Sequence, residues 1–159
     1  MSFVTLPNSR ISDGKNLKLH HVGIVVKDLE SHGASYAETL GYAACSAVIH
    51  DPIQKVHVQF WKDEAGTLIE LIAAASKDSP VSRDTHKGGG LNHLCYQTGD
   101  IERQVEESLR RGGMLTREIS PAVAFGGKRI AFVFFLELGL IEFVETETPA
   151  AEPESLLLR

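Results

Sequence analysis

The run LKLHHVGIVV, residues 17–26, is rich in β-branched and apolar side chains and reads as a strand. The period then lengthens. Leu29, Gly33, Tyr36 and Leu40 recur at helical spacing behind Asp28, a residue suited to capping a first turn. Gly41 stops that helix. Three extended segments follow, near 43–49, 54–61 and 67–73, separated by Asp51-Pro52 and by the stretch Asp63 to Gly66. The order is β-α-β-β-β.

The same order recurs downstream. GLNHLCYQT is a strand, Asp100 caps IERQVEESLRR with Ile101, Val105 and Leu109 on one face, and Gly112-Gly113 end the helix. Strands are predicted near 115–119, 129–135 and 139–145, with Phe125-Gly126-Gly127 as a mobile turn ahead of the second. The pattern therefore predicts one α+β domain over 17–145, built from two tandem βαβββ modules, 17–75 and 90–145. Between them, SKDSPVSRDTHKGGG is rich in Ser, Asp, Pro and Gly and predicts a surface linker over 76–89. Residues 1–16 and 146–159 are expected to be flexible tails.

An offset of 72 residues aligns the two halves without a gap. It pairs Leu19 with Leu91, His21 with His93, Asp28 with Asp100, Glu30 with Glu102, Gly41 with Gly113 and Phe60 with Phe132. Leu68, Ile69 and Glu70 then fall on Leu140, Ile141 and Glu142. Most of these pairs are packing positions that any duplicated core would keep. His21, His93, Glu70 and Glu142 are not, because His and especially Glu are costly within apolar strands unless paired or bound to a metal.

Composition narrows the partners. With 159 residues, 43% of them apolar and 23% charged, the chain has the make-up of one soluble globular unit. A formal net charge of −5 gives no electrostatic reason to bind nucleic acid or an anionic membrane. No apolar run approaches the ~20 residues that cross a bilayer, and MSFVTLPNSRISDGKN lacks the apolar segment of a secretion signal, so a cytoplasmic protein is expected. The two cysteines, Cys45 and Cys95, form neither a disulfide framework nor a zinc knuckle, consistent with a reducing compartment. A small-molecule substrate is the expected partner.

Glu70 follows His21 by 49 residues, and Glu142 follows His93 by the same interval. Each module thus offers one imidazole from its first strand and one carboxylate from its last. A pseudo-twofold relation between modules would bring all four to one centre. Two neutral imidazoles and two carboxylates balance a divalent cation and leave positions for water or substrate oxygen; Zn, Ni, Co, Mn and Fe(II) all tolerate the set. Strand alternation puts the neighbours His20 and His21 on opposite faces, so only one is expected to ligate. The repeat selects His21, because His20 falls on Asn92.

LHHVGIVVKDLESHGASYAETLGY, TLIELIAAASKDSPV, GGGLNHLCYQTGDIE, GGKRIAFV and GLIEF resemble the corresponding stretches of the methylmalonyl-CoA epimerases and their glyoxalase I relatives in the vicinal oxygen chelate superfamily. The resemblance runs from about Leu17 to Glu145, and DSPV followed by GGGLNH favours the epimerase branch. It implies paired βαβββ modules whose curved mixed sheet encloses a metal cleft, with the metal ligands on His21, Glu70, His93 and Glu142. It also implies proton abstraction next to a carbonyl through a metal-stabilised enediolate, on an acyl-CoA or related activated acid. Glu70 and Glu142, reaching the centre from the two modules, are then the expected acid/base pair. A homodimer is expected on the same analogy. Two departures stand out: Val58 occupies the position of an acidic residue found in some epimerases, and VFFLELG replaces a His-Pro-Lys turn near the substrate mouth.

Other candidates have plainer readings. Cys95 is expected as a small buried filler matching Gly23, and His57 as an exposed strand histidine. His32, His50 and His86 read as solvated. The glycines at 88–90 and 126–127 lack the context of a phosphate loop and are expected to form flexible lips of the cleft, flanked by Lys87, Lys128 and Arg129 as solvated charges. Two further activities compete: a glyoxalase I-type lyase, and a non-catalytic resistance protein that binds a small molecule. The four intact candidate ligands weigh against the latter.

Overall fold

Module one contributes β1 (Leu19–Val25), α1 (Leu29–Leu40), β2 (Ala43–Ala44), β3 (Ile49–Asp51), β4 (Val56–Lys62) and β5 (Leu68–Ala74). After α2 (Ser82–His86), module two follows with β6 (Gly90–Thr98), α3 (Ile101–Arg110), β7 (Met114–Leu115), β8 (Ser120–Pro121), a 3₁₀ turn (Val123–Phe125), β9 (Arg129–Phe135) and β10 (Gly139–Glu145). The structure, a computed structural model, describes residues 17–147. The expected tails therefore lie outside the described residues, apart from Thr146, whose amide donates to the Thr98 carbonyl at 2.8 Å, and Glu147.

All ten strands form one mixed sheet in the order β2-β4-β5-β1-β6-β10-β9-β7, with β3 added on β4 and β8 on β9. The modules meet at the antiparallel pair β1 and β6. Each of these first strands also runs parallel to the last strand of its own module, β1 to β5 and β6 to β10. The two long helices, α1 and α3, begin and end as their sequences dictate. Asp28 accepts the Ser31 amide at 2.7 Å and Asp100 the Arg103 amide at 3.0 Å, while Gly41 takes the left-handed conformation at φ 74°.

Burial is two-sided, as in sheets covered on both faces. Ile69 and Leu71 of β5 pack beneath α1 with Leu29, Tyr36 and Trp61; Ile141 and Phe143 of β10 pack beneath α3 with Ile101 and Val105. The intervening residues Glu70, Ile72, Glu142 and Val144 point to the opposite face, where the cleft lies. The helical stripes are narrower than the sequence suggests. Leu40 and Leu109 are 60% and 46% exposed, and on α3 it is Gln104 and Ser108 that complete the buried face with Ile101 and Val105.

The segments expected as single strands near 43–49 and 115–119 are each broken in two. In module one the Cys45 amide still donates to the Phe60 carbonyl at 2.9 Å, but the Phe60 amide turns to the Ser46 hydroxyl at 2.9 Å. A side chain thus replaces the backbone partner and the edge strand kinks. The linker also departs from a plain surface run. It contains α2, and Val81, 8% exposed, packs on Val25, Val56, Val58 and Ile72. No described helix is long and apolar enough to cross a membrane.

Candidate metal centre

The β1/β6 seam carries the two histidines across from two small residues. His21 pairs with Cys95, and His93 with Gly23. A Cβ built on Gly23 would sit 2.1 Å from His93 Cε1, so the imidazole occupies space that only glycine leaves. On the flanking strands, Glu70 pairs with Gly23 and Phe60, and Glu142 with Cys95 and Phe132. Each histidine meets the phenylalanine of its own module edge to face, His21 with Phe60 at 5.5 Å and His93 with Phe132 at 5.4 Å between ring centroids.

The four side chains singled out by the repeat are all buried and converge, one donor atom from each lying within 4.8 Å of all the others. His21 Nε2 stands 3.2 Å from His93 Nε2, 3.2 Å from Glu70 Oε2 and 3.3 Å from Glu142 Oε2. His93 Nε2 stands 3.6 Å from Glu70 Oε2 and 3.0 Å from Glu142 Oε2. Donors bonded at ~2.0–2.2 Å to one ion stand about 3.0 Å apart at right angles and about 3.4 Å apart at tetrahedral angles. The observed separations match the edges of such a polyhedron. Glu142 Oε2 is buried and, beyond its approach to the two imidazole nitrogens, has no hydrogen-bond partner among the described residues, as an oxygen reserved for a cation would. The residues present therefore fit a divalent metal.

Outside these four lies a second duplicated layer that strand alternation does not predict. Between the β1 and β6 strands the register slips at His20 and again at Asn92, each the extra residue of a β-bulge. The bulges turn both side chains toward the neighbouring histidines. His20 Nδ1 lies 2.9 Å from His21 Nδ1, and Asn92 Oδ1 lies 2.9 Å from His93 Nδ1. Asn92 Nδ2 donates to Asp84 of α2 at 3.4 Å, which orients the amide with its oxygen toward His93. His93 then donates from Nδ1 and keeps the Nε2 lone pair for the centre. Adjacent polar pairs at equivalent positions, His-His and Asn-His, were the available sequence signal.

Without metal, burial works against a charged His21, but the carboxylates of Glu142 and Glu70 outweigh it and raise its pKa to about 9. Burial likewise opposes a charged Glu142, yet its contacts with His21 and His93 hold the carboxyl well below its usual range. Burial, reinforced by His21, lowers the pKa of His20. Cys95 is fully buried, as expected for a filler, and burial followed by the Glu142 charge pushes its thiol far up, so it supplies no thiolate.

The centre opens into a cavity of about 320 Å³ whose apolar wall includes Val58, Ile72, Ile130 and Phe132. Asp51, Gln54, Asp84 and Arg117, none singled out from sequence, also line it. Lys87, Lys128 and Arg129 do not; Arg129 instead pairs with Glu102 and Glu145. The turn at Phe125 is seated rather than loose, its ring stacking on His21 at 5.8 Å and meeting His20 at 5.5 Å. Gly89 is packed as well, since a Cβ there would fall 2.2 Å from the Val25 carbonyl oxygen. His50, exposed as expected, stacks on His57 at 4.7 Å, while His57 itself is only partly exposed; His32 is partly buried, with Nδ1 2.8 Å from the Asp28 carbonyl oxygen.

Residues 20–132 match the family model of the glyoxalase/bleomycin resistance protein/dioxygenase superfamily. An ethylmalonyl-CoA/methylmalonyl-CoA epimerase of Cereibacter sphaeroides is 32% identical over 118 residues, covering 73% of this chain and 87% of that protein. Mitochondrial methylmalonyl-CoA epimerase of Homo sapiens is 32% identical over 120 residues, covering 73% of this chain and 65% of the human protein. The crystal structure of methylmalonyl-CoA epimerase from Mycobacterium tuberculosis superimposes with a TM-score of 0.66 at 25% identity, over 82% of this chain and 88% of that one. With its duplicated βαβββ architecture and the matched residues spanning both modules, the chain belongs to the glyoxalase/bleomycin resistance protein/dioxygenase superfamily.

Proposed function

We propose that this protein is a metal-dependent isomerase of the methylmalonyl-CoA epimerase type, moving a proton on the carbon next to the carbonyl of an acyl-CoA. The observation that carries the reading is the convergence of two imidazoles and two carboxylates, one of each per module, at a buried centre that opens into a largely apolar cavity. The names of the relatives at 32% identity point the same way. His21, Glu70, His93 and Glu142 would hold one divalent ion, which when bound stabilises negative charge developing on a carbonyl oxygen.

The chain's own residues supply the rest. His20 and Asn92 fix the imidazoles so that Nε2 faces inward. Phe60, Phe125 and Phe132 surround them with rings and keep bulk water from the reacting carbon. Glu70 reaches in from β5 and Glu142 from β10, strands that flank the central pair on opposite sides. One carboxylate takes the proton from one face of the substrate and the other returns a proton to the opposite face, which inverts the carbon.

The test is deuterium incorporation from solvent into methylmalonyl-CoA by metal-loaded protein, beside the variants Glu70→Gln and Glu142→Gln. Wild type should exchange and epimerise, while each variant should lose about 100-fold or more of its turnover at saturating metal. Full turnover by either variant with its metal retained overturns the assignment. Greater activity on methylglyoxal with glutathione would assign a glyoxalase I-type reaction instead.

A further inference from the structure

Among the described residues lining the cavity, Arg117 supplies the one arginine or lysine side chain, against the carboxylates of Asp51, Glu70, Asp84 and Glu142. Those carboxylates are engaged. Glu70 and Glu142 face the histidines, Asp84 accepts from Asn92, and Asp51 is 2% exposed with its oxygens on the backbone amides of Ile53, Gln54 and Val123. Arg117 is engaged by none of them. Its Nη1 donates at 2.5 Å to the side-chain oxygen of Gln54, a neutral group, and it forms no ion pair with a described residue.

The holder is itself fixed. Gln54 is 8% exposed, its Nε2 donates to Ser120 Oγ at 3.1 Å, and its backbone amide donates to Asp51 at 2.9 Å. A half-buried guanidinium braced through a neutral amide keeps its charge and its remaining N–H donors for another anion. A planar fork of this kind matches a carboxylate better than an ammonium does.

We propose that Arg117 binds a carboxylate of the substrate, making the cleft selective for acyl thioesters whose acidic carbon also carries a carboxylate. This rests on the epimerase reading above and names the residue that would choose the substrate. At about 320 Å³ the cavity is at the lower end for small-molecule sites and suits the acyl end of such a thioester. The carboxylate replaces the water that a free guanidinium would otherwise hold, and Gln54 fixes the angle at which the fork is presented. Conversely, an acidic residue at position 54 would satisfy Arg117 internally.

The experiment measures binding of methylmalonyl-CoA and of propionyl-CoA, which lacks that carboxylate, to metal-free protein by calorimetry, so that no turnover intervenes. Wild type should prefer methylmalonyl-CoA by at least about 10-fold. Arg117→Gln should erase most of that preference. Gln54→Glu, which keeps the arginine but pairs it, should do the same, with zinc uptake and thermal midpoint serving as checks on folding in both variants. No preference in wild type, or an undiminished preference in two folded variants, overturns the proposal. Absence of deuterium exchange by metal-loaded wild type, with the Arg117-dependent preference intact, would instead refute the epimerase reading and leave the carboxylate site standing.

Discussion

The centre depends on residues that offer no ligand atom themselves. Gly23 is the clearest, because its missing Cβ is where the His93 ring lies. Gly23→Ala should displace that imidazole, cost about 1–3 kcal/mol by overpacking and weaken metal uptake at least tenfold. Metal content by mass spectrometry and a urea titration check both, and wild-type uptake in the variant would contradict the packing argument. The metal-free charge pattern has its own signature. The folded His21 pKa of about 9 lies above the ordinary imidazole value of 6.5, so this stabilisation is complete below about 6.5 and lost as pH rises through about 9. For Glu142 the sign reverses: its depressed pKa stabilises the fold above 4.5 and fails as pH falls toward about 2. Chelator-stripped protein should therefore show urea midpoints that fall as pH rises from about 6.5 to about 9, while metal binding strengthens as His21 sheds its proton. A midpoint that climbs over that interval would contradict the assignment.

At the level of elements, much was legible because duplication prints the same punctuation twice. Asp28 and Asp100 cap, Gly41 and the glycines at 112–113 stop, and the apolar runs between them became β1, β5, β6 and β10. The matched histidines and glutamates were legible because their cost in apolar strands demands an explanation. Strand alternation failed at His20 and Asn92, where bulges re-aim side chains that an ideal strand would send to the far face. Phe125 looked like loop because the glycines after it dominate the local signal, whereas its packing partners, His20, His21 and Phe60, are about 100 or 65 residues away. Arg117 carries no local signal at all; its meaning comes from Gln54, 63 residues away. The loop that ends β3 shows how such distant elements are tied. Asp51 accepts two amides of its own turn and, at 3.0 Å, the amide of Val123 in module two. Asp51→Ala should leave three N–H groups without their charged acceptor and destabilise the fold by about 2–4 kcal/mol in urea unfolding. A loss below about 1 kcal/mol would show that the turn relaxes without this bond.

For the whole molecule, the modules meet where each is incomplete. One module brings a single histidine and a single glutamate to the seam, too few to hold an ion tightly, and the antiparallel β1/β6 pair makes one full set from two halves. The flanking parallel pairs then set the two carboxylates symmetrically about that seam, and the linker with α2 closes one wall of the cavity through Val81 and Asp84. Fold, seam and the convergence of the four side chains thus follow from the same duplication, and a bound cation would make the arrangement chemically useful. The most direct test is a crystal of cobalt-loaded protein measured at the cobalt absorption edge. The expected result is one strong anomalous peak per chain, ~2.0–2.2 Å from His21 Nε2, His93 Nε2 and a carboxylate oxygen each of Glu70 and Glu142. A peak elsewhere, or none at saturating cobalt with the four side chains still converged, would contradict the account.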